Sequence, residues 1–164
     1  MKGSVSSRTV ANTLLEIAKN RNISITPMKL QKLVYMAHGW YLAITGKELI
    51  FDPIEAWQFG PVIRDLYSMT KHYGNQPITS EIEDLFPDIE TNKIGYPKIE
   101  DPTVKKFLGK IFDAYGEFTA YQLSALTHQK GTPWYDTWND SERADYPIIQ
   151  NELIKKHFEK LAKS

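Results

Sequence analysis

The sequence contains no cysteine, and this absence excludes disulfide bonds, thiolate nucleophiles and cysteine-ligated zinc sites. It also fits a reducing compartment, so we expect a cytoplasmic protein. No apolar run approaches the roughly 20 residues that cross a bilayer. Asn12, Glu16 and Lys19 interrupt the N-terminal segment, where a secretory signal would need an apolar core. We therefore expect neither a membrane partner nor a secretion signal.

An excess of charge of either sign is also missing. Lys and Arg number 20, Asp and Glu number 20, and the formal net charge is zero. A nucleic-acid-binding domain usually carries a surplus of positive charge, so nucleic acid is the weakest candidate partner. The length of 164 residues suits one domain, and residues 1–164 are predicted to form a single compact helical domain.

Recognisable metal and cofactor motifs are absent as well. The sequence contains neither a P-loop nor a Gly-x-Gly-x-x-Gly motif. None of its four histidines belongs to a recognisable metal-ligand spacing. We therefore predict no metal, no cofactor and no catalytic residue. The four histidines are His38, His72, His128 and His157.

One nucleophile–base pair is kept as an alternative. Ser124 and His128 stand at i and i+4, so they share one face of a helix and can approach each other. No Gly-x-Ser-x-Gly elbow surrounds Ser124, and no acidic residue is placed to orient the imidazole. A small hydrolase using these two residues is the leading alternative to a binding protein.

Apolar periodicity predicts a mainly α fold with a small, minor β element near Ile54 to Phe59. Thr26-Pro27 is a strong helix start, and Gly46 is the expected end of that helix. Its apolar residues form two stripes, Leu30–Ile44 and Met28–Tyr35–Leu42, so we expect it at the centre of the fold. A third helix is predicted to begin at Gly60-Pro61 and to end at Gly74. The other predicted helices are 7–20, 102–115, 120–127 and 149–162, with a single helical turn at 134–138. Leu123 and Leu126 are expected to face inward.

Two further features lead to expectations about packing. Gly39 weakens the interior of the central helix, and close approach of another backbone would explain it. Residues 75–100 are acidic and irregular, which predicts a loop-rich insertion with a short strand pair. Four apolar side chains are expected to anchor that insertion, namely Ile82, Leu85, Phe86 and Ile89.

Aromatic residues make up 12% of the chain, and two readings of them stay open. They can fill the core, or some can form a partner-binding surface, because Trp and Tyr are enriched at interface hot spots. The best candidate segment runs from Gly131 to Tyr135, where Pro133 stiffens the chain and two aromatic residues are adjacent. The candidate partner-binding residues are Trp134, Tyr135, Trp57, Phe59 and His128.

Two blocks of the sequence resemble the Panacea antitoxin domain, the SocA-like family once described only as phage-associated proteins. The first block runs from Leu30 to Tyr67 and contains Gly39-Trp40-Tyr41-Leu42, Glu55-Ala56-Trp57 and Gly60-Pro61-Val62. The second block is Leu123 to His128, followed by Pro133-Trp134. Residues 75–100 contain none of these motifs, so we expect individual specificity there.

The resemblance implies a mainly helical domain with a small sheet and no catalytic residues. It implies an antitoxin that binds and neutralises a cognate protein toxin, usually encoded by the neighbouring gene in a bacterial or prophage genome. One relative acts by presenting its toxin to the ClpXP protease, so direct inhibition and protease delivery are both open. A phage-encoded protein-interaction module of another purpose is a further alternative.

Overall fold

Seven α-helices, one short 3₁₀-helix and one β-hairpin form the secondary structure of residues 3–164, which the computed structural model describes. The mainly α fold with a minor β element, predicted from the sequence, is confirmed. In chain order the elements are α1 (Ser7–Asn20), α2 (Pro27–Thr45), β1 (Glu55–Trp57), β2 (Gly60–Val62), α3 (Arg64–Thr70), the 3₁₀-helix (Lys71–Tyr73), α4 (Pro102–Tyr115), α5 (Ala120–His128), α6 (Pro133–Trp138) and α7 (Asn151–Ala162). None of these helices is long and apolar enough to cross a membrane.

Helix α2 lies at the centre, as predicted, and packs against α1, α4, α5 and α7. The Thr26 hydroxyl caps its start by accepting from the Lys29 N–H, and Gly46 ends it in the left-handed region at φ 72°. The helix is buried along most of its length because neighbours cover it on several sides. The stripes are incomplete at the two ends, where the Met28 and Ile44 side chains are exposed.

Gly39 allows the aromatic ring of Phe158 in α7 to lie directly against α2. A Cβ at position 39 would overlap the Phe158 ring. The same ring makes edge contacts with Tyr35 and Trp40, with ring centroids 5.9 and 5.3 Å away. The expectation of a second backbone close to Gly39 was therefore wrong, because a side chain occupies that space.

The Gly60-Pro61 corner forms the second strand of the hairpin, so the prediction that it opens the third helix was wrong. Strand β2 is antiparallel to β1, and Pro61 lies opposite Ala56. Ala56 directs its N–H away from β2, to the Pro147 carbonyl at 2.8 Å, so the missing N–H of Pro61 leaves no ladder bond unmade. Gly60 supplies the turn with φ 120°, and α3 begins only at Arg64.

The insertion of residues 75–100 contains no helix or strand, so the predicted strand pair does not form. Two backbone hydrogen bonds, Asp84 N to Gly95 O and Asp88 N to Lys93 O, both 2.9 Å, connect its two limbs. Of the four expected anchors only Ile82 is buried, and Leu85, Phe86 and Ile89 are exposed. They lie in the part of the insertion that extends past its attachment to α1 at Asn12 and Thr13.

Two helix predictions need smaller corrections. In α5 Leu123 is fully buried, whereas Leu126 is exposed, because the buried face of this short helix contains Leu123 and Thr127. Helix α7 begins at Asn151 rather than Ile149, because the Ile149 N–H donates to the Ile54 carbonyl at 2.7 Å and holds residue 149 in extended pairing.

Candidate partner-binding groove

A groove of about 780 Å³ opens between the start of α2, the β-hairpin, α3 and the segment that follows α6. Most of its lining is apolar, and five of its side chains are aromatic. We call it the aromatic groove and define it by its five aromatic residues and one methionine, namely Met28, Trp57, Phe59, Tyr67, Trp138 and Tyr146.

The rim of the aromatic groove exposes large apolar side chains to solvent. Phe59, at the tip of the hairpin, is 65% exposed, and Tyr146, Tyr67 and Met28 are 52%, 44% and 42% exposed. Single exposed apolar residues are ordinary, but several around one concave surface mark a site for a ligand or a protein partner. The groove is therefore the strongest candidate for a binding surface.

The hairpin that carries Trp57 and Phe59 is fixed from below by α6. The Trp134 indole N–H donates to the Trp57 carbonyl at 2.7 Å. The Trp134 ring stacks on Trp138 with centroids 5.9 Å apart, and the His128 ring lies 4.0 Å away on another side. These contacts hold the hairpin in place, so the rim residues need little further ordering when a partner binds.

Trp57 packs against three neighbouring side chains but leaves its hydrogen-bond donor unused. Its ring contacts Tyr67 and Tyr146 at 4.9 and 5.2 Å, and the Arg64 guanidinium lies 5.2 Å from its centroid. Arg64 is held in turn by two hydrogen bonds to Glu55, of 2.7 and 3.0 Å. The Trp57 indole N–H is buried and has no partner within residues 3–164, which is uncommon because buried donors are nearly always bonded.

Lys32 lies at the floor of the groove and is almost completely buried, with 2% of its surface exposed. Its Nζ donates to the Pro61 carbonyl at 3.2 Å, and no carboxylate of the described residues reaches it. Burial lowers the pKa of Lys32 to about 8. A Cβ on Gly60 would meet both Lys32 Nζ and His128 Cε1, at 3.0 and 3.1 Å, so the backbone of the hairpin lies against one side of the ammonium.

Sequence reasoning missed Lys32. Its signal was a lysine inside a helix that is apolar on two sides, where a charged side chain has little access to solvent.

The arrangement of Ser124 and His128 does not support nucleophilic catalysis. Ser124 Oγ is 3.4 Å from His128 Nδ1, but the Ser124 carbonyl is closer to the same nitrogen, at 2.6 Å. A carbonyl only accepts, so Nδ1 carries the hydrogen and cannot take a proton from the serine. The serine hydroxyl instead donates to the Phe59 carbonyl at 3.3 Å. These two residues connect α5 to the hairpin.

The structure places four of the five predicted partner-binding residues at or beneath the groove and the fifth, Tyr135, outside it. Trp57 and Phe59 line it, and Trp134 and His128 lie beneath the hairpin. Trp134 is only 6% exposed because its indole inserts under the hairpin, so within the 131–135 segment Tyr135 is the aromatic residue that keeps exposed surface. Tyr135 is half-buried on α6 and does not line the groove. Within residues 3–164 no cluster of His, Asp and Glu could hold a metal ion.

Comparison with known proteins identifies the class. The model of the family described as "Antitoxin SocA-like, Panacea domain" matches residues 30–135, which include α2 from Leu30 onward, the hairpin and α5. The chain belongs to this family, and the family resemblance inferred from the sequence is confirmed.

A curated relative is Antitoxin SocA of Caulobacter vibrioides (strain NA1000 / CB15N). It is 33% identical over 133 residues, which cover 80% of this chain and 69% of the relative. No solved structure matches the chain. The family and this relative support an antitoxin role and a non-enzymatic one.

Proposed function

We propose that the chain is an antitoxin that neutralises a cognate protein toxin by binding it in the aromatic groove. Residues 1–164 act as one Panacea-like domain in this proposal, and the toxin is the product of the neighbouring gene. Family membership supports the antitoxin role. The observation that carries the choice of site is the set of exposed apolar side chains around one groove.

The chemistry of the groove suits a protein partner. Tyr and Trp side chains supply large contact areas and lose little conformational freedom on binding, which is why they recur at hot spots. Trp134 holds the hairpin through its bond to the Trp57 carbonyl, so Phe59 is presented on a rigid turn. A partner that covers Phe59 and Tyr67 would remove their exposed surface from water, which is the main favourable term in association.

Two routes of neutralisation begin with the same binding step, and the proposal includes both. Direct inhibition leaves the amount of toxin unchanged, whereas delivery to ClpXP in the cytoplasm shortens the lifetime of the toxin. Measuring that lifetime in cells with and without ClpX separates the two routes.

The 75–100 insertion is proposed as a second, partner-specific contact. It exposes Phe86 and Ile89 beside several acidic side chains and is attached to α1 away from the groove. A loop of this kind can vary without disturbing the helical core.

The test uses two phenylalanines of similar exposure. Phe59 in the groove is 65% exposed, and Phe51, outside the groove, is 60% exposed. The neighbouring gene expressed alone should arrest growth, and co-expression of this chain should restore it. Phe59→Ala should weaken binding of the purified toxin by at least ~2 kcal/mol, roughly 30-fold, as expected for a hot spot.

Phe51→Ala is the matched control and should bind the toxin as the wild type does. Equal affinities of the two variants would overturn the groove as the binding site. A neighbouring gene that is harmless when expressed would overturn the antitoxin role itself.

A further inference from the structure

We propose that the aromatic groove recognises an acidic side chain of its partner, with a glutamate or aspartate pairing with Lys32 beside a large apolar residue. This inference rests on the proposed function, because it names the chemistry of the segment that enters the groove.

Lys32 is the most deeply buried cation of the described residues and, unlike Arg8, it has no acidic partner. Arg8 is paired with Asp65 at 2.6 Å, and Lys98 bonds both Glu16 and Glu81 at 2.6 and 2.7 Å. Lys32 is more deeply buried than Lys98, yet its one hydrogen bond is to the Pro61 carbonyl. A buried ammonium is costly unless it is paired, so a carboxylate supplied from outside would satisfy it.

The charges around the groove favour an anionic occupant. Lys71 and Arg143 add two more positive charges to the lining, and Asp145 is its acidic residue. Lys71 lies on the 3₁₀-helix, and Arg143 is stacked over Trp138 at 3.9 Å. The walls are aromatic, so the occupant must combine a carboxylate with apolar surface.

The polar groups deep in the groove indicate that a side chain enters, rather than the end of a peptide. The Gln31 side chain already bonds both the N–H and the carbonyl of Ile63, at 2.8 and 3.0 Å. The Thr70 hydroxyl donates to the Leu66 carbonyl at 2.7 Å. A peptide backbone brought to this depth would find few partners for its amides, whereas a glutamate reaches Lys32 with its backbone outside.

The Trp57 indole N–H, which has no hydrogen-bond partner, gives the groove a second donor that a carboxylate could accept from. A carboxylate has about four lone-pair sites, so it can accept from an ammonium and an indole at once. No acidic residue of the described chain fills this position.

The test uses two isosteric peptides and needs no toxin. N-acetyl-Phe-Glu-amide and N-acetyl-Phe-Gln-amide are titrated into the full chain, and binding is followed by NMR at the Trp57 indole N–H and the Met28 methyl. The glutamate peptide should bind at least tenfold more tightly. Lys32→Met should abolish this preference, whereas Lys71→Met, which removes an exposed lysine of the same groove, should retain it.

Equal affinity for the two peptides, absence of binding by either, or a preference that persists in Lys32→Met would each overturn the inference. Tighter binding of N-acetyl-Ala-Phe with a free carboxyl terminus would overturn the assignment to a side chain. This inference and the proposed function can fail separately. If Phe59→Ala weakens toxin binding while the two peptides bind equally, the groove remains the docking site and only its preference for an acidic side chain is overturned.

Discussion

Replacing Lys32 with methionine should stabilise the protein at neutral pH. Burial lowers the pKa of Lys32 from 10.5 to about 8, and each tenfold loss of proton affinity corresponds to about 1.4 kcal/mol, so the buried ammonium costs the fold about 3 kcal/mol. Methionine has a similar length and no charge, but it leaves the Pro61 carbonyl without its donor, which costs about 1 to 2 kcal/mol. The expected net gain is about 1 to 2 kcal/mol.

The pH dependence of this gain identifies its cause. The folded-state pKa of Lys32 is depressed, so between pH 8 and 10.5 the unfolded chain binds more protons and wild-type stability rises with pH. The penalty is therefore complete below pH 8 and disappears toward pH 10.5. Urea denaturation at pH 7 and pH 9.5 should show the advantage of Lys32→Met shrinking by about 2 kcal/mol.

Lys71→Met is the control, because Lys71 is exposed, and its stability difference from wild type should be small and independent of pH. A Lys32→Met variant that is less stable than wild type at pH 7 would refute the reasoning. So would an advantage that stays constant between pH 7 and pH 9.5, since it would show that packing and not charge is responsible.

Two further predictions concern groups that support the fold. Trp134→Ala should cost about 3 to 5 kcal/mol in urea denaturation, because a buried indole and its bond to the Trp57 carbonyl are lost, and Trp134→Phe should cost less; a midpoint equal to wild type for Trp134→Ala would contradict the buried position. His38 is buried between Asn151 and the Ile50 N–H, and burial lowers its pKa, so the unfolded chain takes up a proton first and stability falls as the pH drops below about 6.5. Melting curves at pH 7 and pH 5 should show a larger drop in Tm for wild type than for His38→Gln. Equal drops in Tm would contradict the role of His38.

The sequence predicted the elements whose signals are local. Thr26-Pro27 and Gly46 define α2, because each acts through a side chain or a backbone angle of its own segment. Gly60-Pro61 failed as a helix start because the same dipeptide can also close a hairpin. The choice is made by pairing with β1 and by the distant Pro147 carbonyl, which no local pattern encodes.

The candidate site was harder to predict for the same reason. Trp57 and Phe59 were named from aromatic content, but the burial of Trp134 depends on the hairpin folding over it. The burial of Lys32 has the same origin, since its Nζ lies against Gly60 and is bonded to Pro61, about thirty residues further along the chain. A lysine in a helix gives no sign of the segment that will cover it.

The two unsatisfied groups of the groove, the Lys32 ammonium and the Trp57 indole N–H, have a common interpretation. The buried ammonium has one hydrogen bond and no acidic partner, and the buried indole N–H has no hydrogen bond. Both residues line the same apolar groove. Where local rules of stability are broken twice in one place, a functional explanation is favoured over a structural one. A carboxylate from a bound partner would satisfy both donors, so the groups that weaken the free fold would become a source of affinity in the complex.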